Sequence, residues 1–234
     1  MKIRIKFSKQ GSMKFIGHLD LLRYFQKAIR RSGIPICYSG GYSPHQIMSF
    51  ASPLGVGITS RGEYMDIETE DITSLNDMKD RLNAVMAEGI EILSCRLLHS
   101  DSKNAMSIVA AADYTLRFRN GYEPADIPDF FRKLQDFAAK ESLVVWKKTK
   151  KNEKEVDIKP MIYELCIHDC VIYMQLAAGS TNNLKPELVM KAFYTYLVDI
   201  ELSPFTFEIQ REELYANLGD EIDRKFITLE ELGE

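Results

Sequence analysis

Residues 32–60, SGIPICYSGGYSPHQIMSFASPLGVGITS, contain no Asp, Glu, Lys or Arg, although 27% of the chain is charged and about eight such residues are expected over that length. Pro35, Pro44 and Pro53 remove backbone donors and Gly40, Gly41, Gly55 and Gly57 loosen the backbone, so no long helix can run through the stretch. Tyr38, Ser39, Tyr42, Ser43, His45, Gln46 and Ser49 supply neutral hydrogen-bonding side chains instead. A structured connection of this length is uncommon unless it has a task. Two readings follow, a folded binding element and a long hairpin connection.

The elements on either side must therefore be built around this loop. Residues 2–7 alternate base and hydrophobe, which predicts a strand with Ile3, Ile5 and Phe7 on the core face and Lys2, Arg4 and Lys6 on a wet or ligand-bound one. Leu19, Leu22, Phe25 and Ile29 predict a helix over 17–32, ended by Gly33. After the loop come a strand over 63–69, a helix over 75–87 and a strand over 90–98. This strand–helix–loop–strand–helix–strand order predicts an antiparallel, ferredoxin-like unit over 1–100. A polar linker spans 100–107, and a second α+β unit of similar order over 108–215 suggests two ferredoxin-like units in tandem, with helices on one sheet face. Residues 216–234 form an acidic tail, either loose or a partner-facing helix.

Charge is divided unevenly along the chain. Residues 1–61 hold ten bases against Asp20 alone, a net of +9, and the remainder, with 20 bases and 33 acids, nets −13. A basic segment beside a neutral loop rich in Gly and Tyr is the electrostatic pattern of a polyanion site, which makes nucleic acid the leading partner class. The candidate contacts are Lys2, Arg4, Lys6, Lys9, Arg23, Lys27, Arg30 and Arg31 for phosphates, with Tyr38, Tyr42 and His45 for bases. A solvated helix face accounts for the Arg23, Lys27 and Arg31 stripe equally simply.

His18 and Asp20 fall at the predicted helix entrance, where an acid suits the helix dipole, and a capping role for Asp20 competes with a catalytic one. His45 can read a ligand, act as acid or base near neutral pH, or lock the loop. His18, Asp20, Cys37 and His45 match no metal-ligand spacing, while Cys166 and Cys170 around His168 face one side if they share a strand. The four cysteines match no disulfide framework. The sequence also lacks a dinucleotide glycine motif, a phosphate-binding loop, a nucleophile elbow and a three-cysteine cluster. No cofactor bound directly, no membrane span and a cytoplasmic location are the corresponding expectations.

Arg4-Ile5-Lys6-Phe7-Ser8-Lys9, Phe15-Ile16-Gly17-His18-Leu19-Asp20, Tyr38-Ser39-Gly40-Gly41-Tyr42-Ser43-Pro44-His45, Pro53-Leu54-Gly55-Val56-Gly57 and Gly62-Glu63-Tyr64 together resemble the radical SAM-linked protein family, a domain of unknown function. The resemblance covers about the first seventy residues closely. Gly17, Gln46-Ile47 and Arg61 depart from the family's Ser, Pro-Lys and Glu. The resemblance implies a cobalamin-binding radical SAM protein as partner, and Gly41, Pro44, Gly57 and Glu63 as motif positions. Taken with the charge pattern, it leads to an RNA-binding accessory or scaffold for a radical SAM enzyme in RNA or ribosome modification, more an adaptor than an enzyme by itself. The alternatives are a metal-independent RNA-processing nuclease using His18 and His45, and a pure protein-interaction module.

Overall fold

In the computed structural model, which describes residues 1–148, 153–197 and 202–234, the N-terminal alternation forms strand β1 (Lys2–Lys9) with Ile3, Ile5 and Phe7 wholly buried. Helix α1 (His18–Ser32) covers that face with Leu21, Phe25, Ala28 and Ile29, and the Phe7 and Phe25 ring centroids lie 4.8 Å apart. Gly33 caps α1 at φ +68°, a left-handed conformation that only glycine adopts without cost. Strands β2 (Met48–Phe50) and β3 (Thr59–Glu68), helix α2 (Leu75–Asn83) and strand β4 (Ile90–Leu98) follow. Ser74 Oγ accepts from Asp77 N at 3.2 Å to start α2. β1 pairs antiparallel with both β3 and β4, and β2 pairs antiparallel with β3, giving the order β4-β1-β3-β2.

A short helix α3 (Ala105–Ile108) leads into β5 (Val109–Phe118). Helix α4 (Ile127–Ala138) begins at Asp126, whose carboxylate accepts from Asp129 N at 2.9 Å. A separate two-stranded sheet of β6 (Val144–Lys148) and β7 (Glu153–Asp157) precedes the hairpin of β8 (Ile162–His168) and β9 (Val171–Ala177). Helix α5 (Pro186–Tyr196), β10 (Phe207–Asn217) and β11 (Phe226–Thr228) complete a mixed α+β chain, in which β1–β3, β1–β4, β2–β3, β6–β7, β8–β9 and β10–β11 pair antiparallel.

The chain divides into two units, Met1–Ala111 with Arg211–Glu234, and Ala112–Gln210. In the second, β9 lies between β5 and β8, and an aromatic cluster of Phe130, Phe137, Phe193 and Tyr194 joins α4 to α5. The expected bounds at 1–100, 108–215 and 216–234 are displaced because the chain returns to the first unit within β10. Residues 216–234 are neither a loose tail nor one helix: β11 pairs with Tyr215–Asn217, a single 3-10 turn covers Glu230–Leu232, and Glu234 and Leu97 exchange backbone hydrogen bonds of 3.0 and 2.8 Å. Among the described residues no helix is long and apolar enough to cross a membrane.

Candidate binding site around the charge-free loop

The charge-free stretch folds back on itself along the end of β3. Cys37 N donates to Glu68 O at 2.8 Å, Glu68 N to Ile47 O at 3.1 Å, and Ile47 N to Cys37 O at 2.9 Å, so both legs of the loop are tied to the sheet. Ser39 N donates to His45 O at 2.8 Å and the tip turns through Gly41 at φ +97°, which explains a glycine at that motif position. His45 is locked to the opposite leg, with Nδ1 2.8 Å from Ser39 Oγ and its backbone N–H donating to the same oxygen at 3.1 Å. Tyr38, Tyr42, Pro44 and His45 are exposed, Tyr42 completely.

Gln46, just 5% exposed, anchors this loop to α1. Its Nε2 donates to Gln26 O at 3.3 Å, and Arg30 Nε donates to that same carbonyl at 3.3 Å. One backbone oxygen of α1 therefore receives both the loop and a base of the helix stripe. Arg23, Lys27, Arg30 and Arg31 are all exposed. Arg23 lies 3.4 Å from Asp20, and Arg31 donates to Val85 O at 3.1 Å.

Beneath the loop is a cavity of about 360 Å³ lined by His45, Gln46, Met48, Asp66, Glu68 and Lys2, among others. Lys2 reaches Ser100 O at 2.8 Å, and Asp66 is occupied by Arg4 Nε at 2.8 Å, Arg4 Nη2 at 3.0 Å and Ala105 N at 2.8 Å. Gln46 Oε1 is buried and has no hydrogen-bond partner among the described residues.

The basic strand expected on a wet face is internal. Arg4 is 1% exposed and also donates to Leu229 O at 3.1 Å, while Lys6 bridges Glu213 at 2.7 Å and Glu230 at 3.2 Å. Burial works to lower the Lys6 pKa, but the hydrogen bonds and charges of Glu213 and Glu230 prevail and raise it. Lys9 is buried, donating to Ile16 O at 2.8 Å, and its pKa is lowered, chiefly by burial. The face is internal because the chain's C-terminal segment returns to it, with Glu213 and Glu230 meeting Lys6 and the Leu229 carbonyl meeting Arg4, while Asp66 of β3 pairs with Arg4 and the carbonyl of Ile16 holds Lys9.

His18 packs its ring edge-on against Phe50 at 5.5 Å between centroids, and Asp20 is exposed beside Arg23. His18 and His45 thus engage different partners. Gly57, at φ +90°, donates to Lys14 O at 2.8 Å. Cys166 and Cys170 do not share a strand, because Asp169 and Cys170 form the β8–β9 turn at φ 49° and 61°. Among the described residues no group of three or more His, Cys, Asp or Glu could hold a metal ion.

The profile of an uncharacterized protein family conserved in bacteria, DUF2344, matches residues 2–186. The chain belongs to the DUF2344 family. No curated protein matches it. Among solved structures, a chain from the crystal structure of a Cbf5–Nop10–Gar1 complex superposes with a TM-score of 0.48 at 8% identity, covering 91% of this chain and 48% of that one. The DUF2344 chain thus spans about half the length of that structure's chain.

In this DUF2344 protein the Gly62-Glu63-Tyr64 motif is the seam between β3 and the C-terminal strand β10. A Cβ at Gly62 would come 2.5 Å from Glu212 O. Glu63 accepts from Arg211 Nε at 2.8 Å, and Arg211 Nη2 continues to Ser52 O at 3.0 Å, both side chains being buried. Tyr64 donates to Glu213 at 2.7 Å, and burial, reinforced by that carboxylate, pushes its pKa up. Arg211, Glu213 and Asp66 carry no local sequence signal, since each is defined by a partner far along the chain. In the sequence Gln46 stands out as a neutral loop residue and as a departure from the family's motif, neither of which points to its bond with α1.

Proposed function

We propose that this DUF2344 chain is an RNA-binding accessory protein that presents a single-stranded segment to a radical SAM enzyme in RNA or ribosome modification, with the chemistry residing in that partner. The family resemblance of the N-terminal motifs supports the partner. The RNA reading rests on one observation: the Gln26 carbonyl that receives both Gln46 and Arg30, which holds the exposed Tyr38, Tyr42 and His45 loop beside the exposed Arg23, Lys27, Arg30 and Arg31. Bases stack on aromatic side chains while phosphates run along a basic stripe, and this pairing of features is how single strands are held without a deep groove. The phosphate surface is chiefly α1, because Arg4, Lys6 and Lys9 of β1 are engaged internally.

The same proposal reads the fold as two ferredoxin-like units. The order β4-β1-β3-β2 in the first unit and β5-β9-β8 in the second is in keeping with it. A cytoplasmic location and the lack of a cofactor of its own belong to the proposal as well.

The test is fluorescence anisotropy with labelled single-stranded RNA across a salt series, with and without the radical SAM partner. Three to four neutralised phosphates give a slope of log K against log salt of about −2 to −3, from roughly 0.7 per phosphate. Arg23→Ala with Lys27→Ala should flatten it by about 1.4 on the same basis. Absence of binding at roughly 50 mM salt in both settings would sink the proposal.

A further inference from the structure

We infer that the cavity under the loop is a site for a free α-amino acid, whose ammonium meets Glu68 and whose carboxylate meets Lys2; the site stands apart from the function proposed above and needs no RNA. Strand register sets its chemistry. Side chains alternate across a sheet, so Lys2 and Arg4 point away from the face that α1 covers, together with the residues opposite them. Lys2 lies opposite Leu98 of β4 and Glu68 of β3, and the pairing of Met48 with Ile67 continues to set Ile47 opposite Glu68. Two residues along β1, Arg4 lies opposite Asp66, which in turn lies opposite Ser49. The two rows treat their charges differently. Arg4 and Asp66 close on each other at 2.8 and 3.0 Å, and that pair is neutral toward a ligand. Lys2 and Glu68 do not close: Lys2 Nζ is drawn to Ser100 O at 2.8 Å, and the Glu68 carboxylate has no hydrogen bond or ion pair among the described residues. Both side chains belong to half-buried residues that line the cavity, whose volume of about 360 Å³ is that of a small-ligand site.

Most other polar groups of the lining are already spent. Asn104 Nδ2 donates to Ser49 Oγ at 2.7 Å, Ser39 holds His45 Nδ1, and Gln46 is buried and tied to α1. Asp101 feels the Lys2 charge but lies off the lining, exposed and hydrogen-bonded to His99. What faces the cavity is therefore one base and one acid, side by side, with at least two of the three Lys2 donors and all the Glu68 acceptors open. A net anion gains from Lys2 and is repelled by Glu68, and a plain amine meets the reverse. A zwitterion that carries both charges on one carbon satisfies both, each through a charge-assisted hydrogen bond. Ile47, half-buried at the Glu68 end of the row, adds aliphatic contact for an apolar side chain.

Titration calorimetry of the full chain with L-leucine tests the site against two analogues that each lack one charge: leucinamide, which keeps the ammonium, and isocaproate, which keeps the carboxylate. Leucine is expected to bind about tenfold or more tighter than either, the order of one hydrogen bond to a charged group. Glycyl-leucine, whose two charges sit on different residues, should be weaker than leucine by a similar factor. Glu68→Gln and Lys2→Met should each lower leucine affinity about tenfold on the same basis. Their circular dichroism and melting temperature should stay as in the parent chain, because neither side chain is held in an ion pair among the described residues. Absence of leucine binding overturns the site. Leucinamide or isocaproate binding as tightly as leucine overturns it too, by making the cavity one for a plain amine or a plain acid, and glycyl-leucine doing so would make it one for peptide ends. Leucine affinity untouched by both variants would put the amino acid elsewhere on the chain and sink the assignment. The comparison of leucine with its analogues uses the parent chain, so it decides even where a variant fails to fold. None of these outcomes bears on the RNA proposal, which is judged by its salt slope.

Discussion

Strand β1 and helix α1 each carry four bases within the first thirty-one residues, yet all those of β1 except Lys2 have a fate opposite to those of α1. Arg4, Lys6 and Lys9 of β1 are consumed by Asp66, by Glu213 with Glu230, and by backbone carbonyls. Arg23, Lys27, Arg30 and Arg31 of α1 remain exposed. A strand in mid-sheet has two faces that other elements can cover, and the C-terminal segment supplies carboxylates for one of them. A helix packed by one stripe keeps the opposite stripe in water. Net charge per segment therefore overstates the available surface wherever the oppositely charged segment folds back onto it.

The sharpest way to break the comparison is to remove one partner from the seam that closes over β1. Glu63→Ala should cost about 3–5 kcal/mol in urea unfolding, because it removes the carboxylate that faces the buried Arg211 guanidinium. Arg23→Ala, by contrast, with a side chain 71% exposed, should stay within about 0.5 kcal/mol. Equal effects would mean that the two sets of charges are not differently placed. Gly62→Ala comes next, since its Cβ would lie 2.5 Å from the backbone oxygen of Glu212 and the strands must part to admit it. A loss of roughly 1–3 kcal/mol is expected, as for other overpacked sites.

The loop side of the comparison is probed by Tyr42→Ala. Tyr42 is fully exposed, so thermal stability should not change, whereas affinity for single-stranded RNA should fall by ~1–3 kcal/mol with the salt slope unaltered. A drop in stability with unchanged RNA affinity would assign the ring to the fold instead.

Much of the first unit was legible in the sequence because its signals are local. The Ile3, Ile5, Phe7 alternation, the Phe25 and Ile29 stripe closed by Gly33, and the strand at Ile90–Leu98 all depend on neighbours within a turn or two, although Leu19, read into that stripe, is exposed and Leu21 is buried in its stead. The loop was legible as a folded element from its lack of charge. What its sequence could not convey was the pairing of Gln46 with Gln26, or the 148-residue separation between Glu63 and Arg211. The turn that separates Cys166 from Cys170, which the sequence leaves open as one strand, is hidden for a different reason. Asp169 and Cys170 adopt positive φ without a glycine, so a continuous apolar alternation conceals the break.

The smallest expected effect distinguishes two lysines within β1 itself. Lys6 has a raised pKa: burial opposes the charge, but Glu213 and Glu230 outweigh it. The folded chain then holds this proton more tightly than the unfolded one, so its stabilising contribution is complete below about pH 10.5 and is lost as pH rises through the folded pKa above that value. Lys9 is shifted the other way, first by burial and then by Arg211, with Glu63 offsetting part of it. Here the unfolded chain binds the proton more tightly. The penalty is complete below the folded pKa and is relieved as pH rises toward 10.5. Urea midpoints measured across the alkaline range should therefore show Lys6→Met losing a fall in stability above pH 10.5 and Lys9→Met losing a rise below it. Parallel pH profiles for the two variants would show that the strand's bases share one environment, and the contrast between carboxylate-paired and carbonyl-held lysines would not stand.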